Sequence, residues 1–242
     1  MSFYQVLSHY YDEIFPKNPI QIDFITKFAS NRKKILDVAA GSGNQALALA
    51  KAGFEVTAVD LDEQMIESIK QKAHAAQLSI DAFALDMKEI DSIEKIFNMI
   101  MCIGNSIVHL DSLDDITNML KRGYHLLSEN GVFIVQTVNY DMVLQRHITE
   151  LPVIHRAEKG ITFIRAYEHL PNKIKFHGTL TVENSVEQKT FNNSVDLYPL
   201  TSNELVAAFD TAGFSRVELY GNFKGDSYKS DSPALIAVAY KG

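Results

Sequence analysis

Tryptophan is absent from the 242 residues, and cysteine occurs once, as Cys102. A lone thiol excludes an internal disulfide framework and a multi-cysteine zinc site. No apolar run is long enough to span a bilayer. The opening stretch MSFYQVLSHYYDEIFP lacks the basic end and apolar core of a signal peptide. Positive charge is also scarce, with 23 Lys and Arg against 30 Asp and Glu and a formal net charge of −7. A protein that grips a nucleic-acid backbone needs a basic face. None of the eight histidines falls into a HExxH-like pair or a tight metal cluster. These absences predict a cytoplasmic protein with no membrane, nucleic-acid or metal partner.

What is present is a patterned chain, 46% hydrophobic, long enough to bury a full core. Short apolar runs at residues 35–39, 55–60, 80–85, 97–103 and 132–138 alternate with helical patterns at 44–52, 63–75 and 116–127. Such alternation predicts an α/β fold, a mostly parallel sheet with helices on both faces. Gly53 and Gly213 stand where helices should stop, and Thr201 or Ser202 where one should start. Between residues 151 and 195 the pattern changes to β-hairpins. The reading is a main domain of residues 1–150 and 196–242 with an antiparallel β insertion at 151–195 lying over the sheet. Strands follow at 216–220 and 234–240, the last, ALIAVAY, an inserted edge or antiparallel strand.

The chemistry concentrates in ILDVAAGSGNQA, residues 35–46. Gly41 and Gly43 permit a tight strand-to-helix turn and a close ligand approach. The spacing matches G-x-G-x-x-A, a dinucleotide pattern that is weak alone. Asp60 closes the second strand, where a carboxylate can accept both hydroxyl protons of a ribose. Asp37 then separates the candidates: beside a pyrophosphate it repels, beside a sulfonium or ammonium it attracts. S-adenosylmethionine has a ribose and positive groups but no phosphate, so it fits better than NAD. Asp37 capping turn amides is the plainer alternative. Asp86, after the third strand, can accept from an adenine amino group, and Met65 and Met87 are suited to sandwiching the ring.

The ordered set Asp37, Gly41, Gly43, Asp60, Met65 and Asp86 resembles the class I S-adenosylmethionine-dependent methyltransferases. The likeness covers residues 35–138 and extends to the final helix and strands. It implies a Rossmann-like seven-stranded sheet with a reversed last strand, and the cofactor at the carboxyl ends of the strands. Within that class, MCIGNSIVHL (with Cys102, Asn105 and His109), VNYD (138–141) and GNFK (221–224) resemble the glycine/sarcosine N-methyltransferase branch. One departure matters. That branch places an arginine before Asn-Tyr-Asp to clamp the substrate carboxylate; here Val138 stands there, and valine cannot form a bidentate ion pair. The amino-terminal region also has no arginine where that branch grips the cofactor carboxylate. The resemblance therefore carries methyl transfer, with S-adenosylhomocysteine as product, but not glycine as acceptor.

The expected cofactor contacts are Tyr11, Asp37, Gly41, Gly43, Asp60, Met65, Asp86, Met87 and Cys102. Asn105, His109 and Tyr140 are the catalytic candidates; His109 is either the base or a hydrogen-bonding member of its own motif. Asn139, Tyr140, Arg165, Asn222 and Tyr228 are the substrate-side candidates, with Arg165 able to replace the missing charge from the insertion. The function expected is methyl transfer to a small molecule, an amine among the options, by a monomer or homodimer. The alternatives are a non-catalytic S-adenosylmethionine-binding module and an NAD-dependent oxidoreductase.

Overall fold

The computed structural model describes residues 7, 9–29, 33–183 and 187–242. The main sheet contains β1 (Lys34–Val38), β2 (Glu55–Asp60), β3 (Ile80–Ala84), β4 (Phe97–Cys102), β5 (Leu127–Val138), β10 (Arg216–Tyr220) and β11 (Ala234–Tyr240). Their order is β10-β11-β5-β4-β1-β2-β3. The first five pair in parallel, whereas β11 runs antiparallel between β5 and β10. ALIAVAY is thus an interior reversed strand, which explains why nearly all of it is apolar.

Side chains alternate between the two sheet faces, so neighbours in one strand serve different cores. Ile35, Met99, Ile134 and Val238 face α2 (Pro19–Ala29), α3 (Asn44–Lys51) and α4 (Glu63–Ala75) through Phe24, Leu49 and Ile69. Leu36, Ile100, Val135 and Ala237 face the opposite way, toward α5 (Leu113–Leu126) and α7 (Ser202–Ala212), meeting Ile116, Leu120, Leu205 and Phe209. Each such side chain contributes about 1.5–3 kcal/mol when fully buried. Local signals set the helix ends: the Asp62 side chain accepts from the Gln64 amide, and Thr201 and Glu204 form a reciprocal capping box.

The insertion is a second, four-stranded antiparallel sheet of β6 (Ile154–Arg156), β7 (Ile161–His169), β8 (Ile174–Glu183) and β9 (Gln188–Leu197). The turn between β8 and β9, expected within the hairpin run, lies outside the described residues. Ile161, Phe163 and Leu180 pack on Ile14 of the short helix α1 (Tyr11–Ile14) and on Phe15. The Arg156 Nε donates to the Glu13 carbonyl at 3.0 Å, and the Tyr198 amide donates to the Val108 carbonyl at 2.8 Å. The inserted sheet is therefore fastened both to the amino-terminal segment and to the turn after β4.

Three local features differ from the sequence reading. β5 begins at Leu127 rather than 132, because its start pairs with Phe97 across an irregularity. A short helix, α6 (Tyr140–Gln145), follows β5, and residues 87–93 and 107–109 form 3-10 turns.

Gly43 sits at φ +82, and a Cβ there would lie 2.6 Å from Ile69 Cγ1. Both the left-handed backbone and the contact with α4 oppose a side chain. Gly43→Ala is expected to cost about 2 kcal/mol of stability, roughly the left-handed penalty plus an Ile69 shift. Denaturant unfolding checks this; an unchanged midpoint would show that the turn rearranges freely.

Candidate active site

The glycine turn lies at the carboxyl end of β1. Ala39 already adopts φ +56, unusual for a non-glycine residue, and Gly41 and Gly43 continue the bend into α3. The Gly41 amide donates to Asp60 Oδ2 at 2.7 Å, and the Asp62 amide to Asp60 Oδ1 at 3.0 Å. Asp60 is thereby fixed beside the turn, with acceptor capacity left on both oxygens. Asp37 is 2% exposed, and its Oδ2 has no hydrogen-bond partner among the described residues. Burial, reinforced by Asp60, pushes its carboxyl up to about 8.

Tyr11 covers this turn: a Cβ on Gly41 would come within 3.3 Å of its ring. Burial and the charges of Asp60, Asp37 and Asp12 push its phenol up to about 12. Asp12 anchors the segment. It accepts from Ser42 Oγ at 2.5 Å and Asn44 Nδ2 at 3.0 Å, and pairs with Lys72 Nζ at 2.5 Å. Burial opposes its charge, but the bonds from Lys72, Ser42 and Asn44 outweigh this and hold its carboxyl below the ordinary value.

The remaining cofactor candidates surround the same strand ends. Met65 is nearly buried on α4. Asp86 accepts from the Lys88 amide at 2.8 Å, capping the 3-10 turn that carries the partly buried Met87. Cys102 ends β4 fully buried, and burial, with Asp37 adding to it, pushes its thiol up. A glycine cradle beside Asp60 and a buried Asp37 with an unpaired oxygen suits a nucleoside that carries positive charge, because such a ligand stabilises the ionised carboxylate that burial disfavours, whereas a pyrophosphate opposes it. The residues thus fit S-adenosylmethionine and disfavour NAD.

Beside the turn, between the ends of β4 and β5 and the inserted sheet, lies a cavity of about 710 Å³. Tyr11, Asn105, His109 and Arg165, four of the sequence candidates, line it. Asn105 is held at φ +68. Its Oδ1 accepts from the Val138 amide at 2.9 Å, and its Nδ2 donates to Tyr140 Oη at 3.1 Å. The His109 ring sits at the edge of the cavity, and the protein around it displaces enough water to hold its pKa below the usual histidine value.

Other candidates lie elsewhere. Tyr140 is 0% exposed; it does not line the cavity but supports it, through Asn105 and the hydroxyl of Tyr167. Asn139 is 0% exposed and fully engaged. Its Oδ1 accepts from the Met142 amide at 3.1 Å and from Tyr228 Oη at 2.7 Å, and its Nδ2 donates to the Ser230 and Ser232 carbonyls, each at 3.0 Å. Tyr228 Oη also lies 2.5 Å from Asp141 Oδ2, so its single hydroxyl proton is shared between the two acceptors. Asn222 donates to Asp226 at 2.8 Å within its own loop. Asn139 and Tyr228 therefore tie the 221–232 loop to β5 and α6, and Asn222 braces the loop internally; none of the three lines the cavity. In return the structure adds Gln136, Phe163, Tyr167, Phe176, Asn193 and Val195 to the wall. For the five on the inserted sheet the signal was its period-2 alternation, which marks a face but not what it faces; Gln136 lies on β5.

Residues 35–131 match a family model described as a methyltransferase domain. A glycine/sarcosine N-methyltransferase from Aphanothece halophytica is 24% identical over 217 residues, 86% of this chain and 76% of that protein. A crystal structure of an S-adenosylmethionine-dependent methyltransferase from Clostridium acetobutylicum superposes with a TM-score of 0.84 at 18% identity, covering 99% of each chain. A sugar N-methyltransferase from Streptoalloteichus sp. superposes at 0.73 with 16% identity, over 99% of this chain and 93% of that one. With its reversed β11, its glycine turn and the acids that flank it, the chain has the fold of the class I S-adenosylmethionine-dependent methyltransferases, built around a methyltransferase domain at residues 35–131.

Proposed function

We propose that the protein methylates an amine nitrogen of a small molecule held between the main sheet and the inserted one. The observation that carries this is the cavity beside the glycine turn, roofed by the inserted sheet and bordered by Asn105 and His109. S-adenosylmethionine supplies a methyl carbon already activated by its sulfonium. Asp37, Gly41, Gly43 and Asp60 hold that cofactor, with Tyr11 above and Met65, Asp86 and Met87 on the adenine side. What the rest of the protein must do is align the nucleophile and exclude water. Asn105, locked by Val138 and Tyr140, is a rigid wall at the end of β4. Residues 151–195 act as lid and specificity element. The acidic surface favours a small acceptor over nucleic acid, in the cytoplasm. N-methylation is also what the glycine/sarcosine relative is named for.

An amine arrives protonated and must lose a proton before it attacks. His109, its pKa below the histidine norm, is neutral at pH 7 and can take that proton. His109→Gln is expected to lower kcat/KM roughly tenfold at pH 7 and much less at pH 9, where bulk base competes; this is smaller than most general-base effects of 10²–10⁴. The direct test is mass-spectrometric detection of S-adenosylhomocysteine formed with a panel of primary and secondary amines and matched alcohols. Turnover confined to alcohols would overturn the amine reading.

A further inference from the structure

The cavity wall departs from the rest of the molecule in its charge. The chain has seven more acids than cations, yet among the described residues no Asp or Glu lines the cavity, while Lys17 and Arg165 do. Arg165 projects from β7 on the face it shares with Phe163 and Tyr167. Its Nη2 donates to the Pro152 carbonyl at 2.7 Å, while its Nε is buried without a partner among the described residues. Among the described residues no carboxylate pairs with it, and the charge interaction that favours its ionised form is with the Tyr167 phenol. Burial lowers its pKa, so the protein holds this guanidinium against a desolvation cost. A half-buried cation on a cavity wall with one N–H unpaired is incompletely compensated, and a group of this kind calls for a ligand of opposite charge.

The apolar wall adds a second constraint. Phe163, Phe176, Val195, Leu197 and Leu151 line the same cavity as Arg165. A simple ammonium would meet only like charge there.

We infer that the methyl acceptor carries an anionic group, a carboxylate or a phosphate, seated on Arg165, and an apolar body covered by Phe163, Phe176 and Val195. This rests on the methyl-acceptor reading of the cavity but not on which atom is methylated. It makes Arg165 the specificity residue and excludes small unsubstituted amines as good acceptors.

The test uses the full chain saturated with S-adenosylhomocysteine and titrated calorimetrically with 3-phenylpropanoate, phenyl phosphate and 3-phenylpropanol. At least one anion is expected to bind tenfold or more tighter than the alcohol, the better of the two identifying the anion. Arg165→Met should abolish that preference and Arg165→Lys should restore part of it. Arg165→Met alone should melt no lower than the parent, since it removes an uncompensated charge. Binding of neither anion, an alcohol equal to the acids, or a preference unchanged in Arg165→Met would each overturn the inference. So would a clear loss of thermal stability in Arg165→Met, which would make the Pro152 contact the reason for the arginine. Anion binding with no amine turnover would instead count against the amine reading alone, and turnover of neutral amines without anion binding would count against this inference alone.

Discussion

Asp60→Ala is expected to weaken S-adenosylmethionine binding about 100-fold, close to 2.7 kcal/mol. The carboxylate ends β2 with one oxygen on the Gly41 amide and the other on the Asp62 amide. Its remaining lone pairs are the natural acceptors for two ribose hydroxyls, and a hydrogen bond to a charged group contributes about 1.5–3 kcal/mol. Alanine removes those bonds and also leaves the Gly41 amide without its partner, so the turn loses its brace. Asp60→Asn separates the two effects: the amide oxygen can still accept from Gly41, but the charge is gone. Calorimetry with S-adenosylhomocysteine should place Asn between the parent and Ala. If Asp60→Ala binds within about threefold of the parent, the ribose does not sit at this strand end.

The main sheet was legible because its signals are local. The limits of β2 and α4 agree with the sequence reading, since Asp60, Asp62 and the alanine-rich helix end mark them. Gly213 and the Thr201–Glu204 pair delimit α7 for the same reason. The start of β5 was not legible. Ser128, Glu129, Asn130 and Gly131 have the composition of a turn, and they bulge out between Leu127, which pairs with Phe97, and Val132, which pairs with Met99, with Asn130 at φ +57.

The site divides similarly. Asp37, Gly41, Gly43 and Asp60 follow one strand–turn–helix unit and one adjacent strand, so spacing alone gathers them. The errors came from reading capping as chemistry. Asn139 is polar because α6 needs an N-cap and the 230–232 carbonyls need donors. Tyr228 is polar-tipped because Asn139 and Asp141 are beneath it. Asp12 went unnoticed because its partners Ser42, Asn44 and Lys72 are about 30 or 60 residues away, beyond any local pattern.

Cofactor binding is also expected to strengthen steeply with pH, and Asp37 is the cause. Its ordinary pKa is 3.8, and burial together with Asp60 raises it to about 8 in the ligand-free protein. At pH 6 only about 1% of the molecules then hold Asp37 ionised, and at pH 8 about half. A cationic ligand binds the ionised form, so its apparent affinity scales with that fraction and should improve roughly 50-fold between pH 6 and pH 8. Binding at pH 7 should release close to one proton, readable by calorimetry in buffers of different ionisation enthalpy. S-adenosylhomocysteine lacks the sulfonium and should show a weaker dependence. Asp37→Asn should remove the dependence for both. The same shift has a consequence for folding with the opposite sign to that of a salt-bridged carboxylate. Between pH 3.8 and about 8 the folded protein binds a proton at Asp37 that the unfolded chain does not, so this group's contribution to stability falls as pH rises through that window. Asp60→Ala removes one of the two causes of the shift, and should move the midpoint of any residual pH dependence downward. If S-adenosylmethionine binds with the same affinity at pH 6 and pH 8 and releases no proton, Asp37 does not face the positive end of the cofactor, and its unpaired oxygen serves the turn alone.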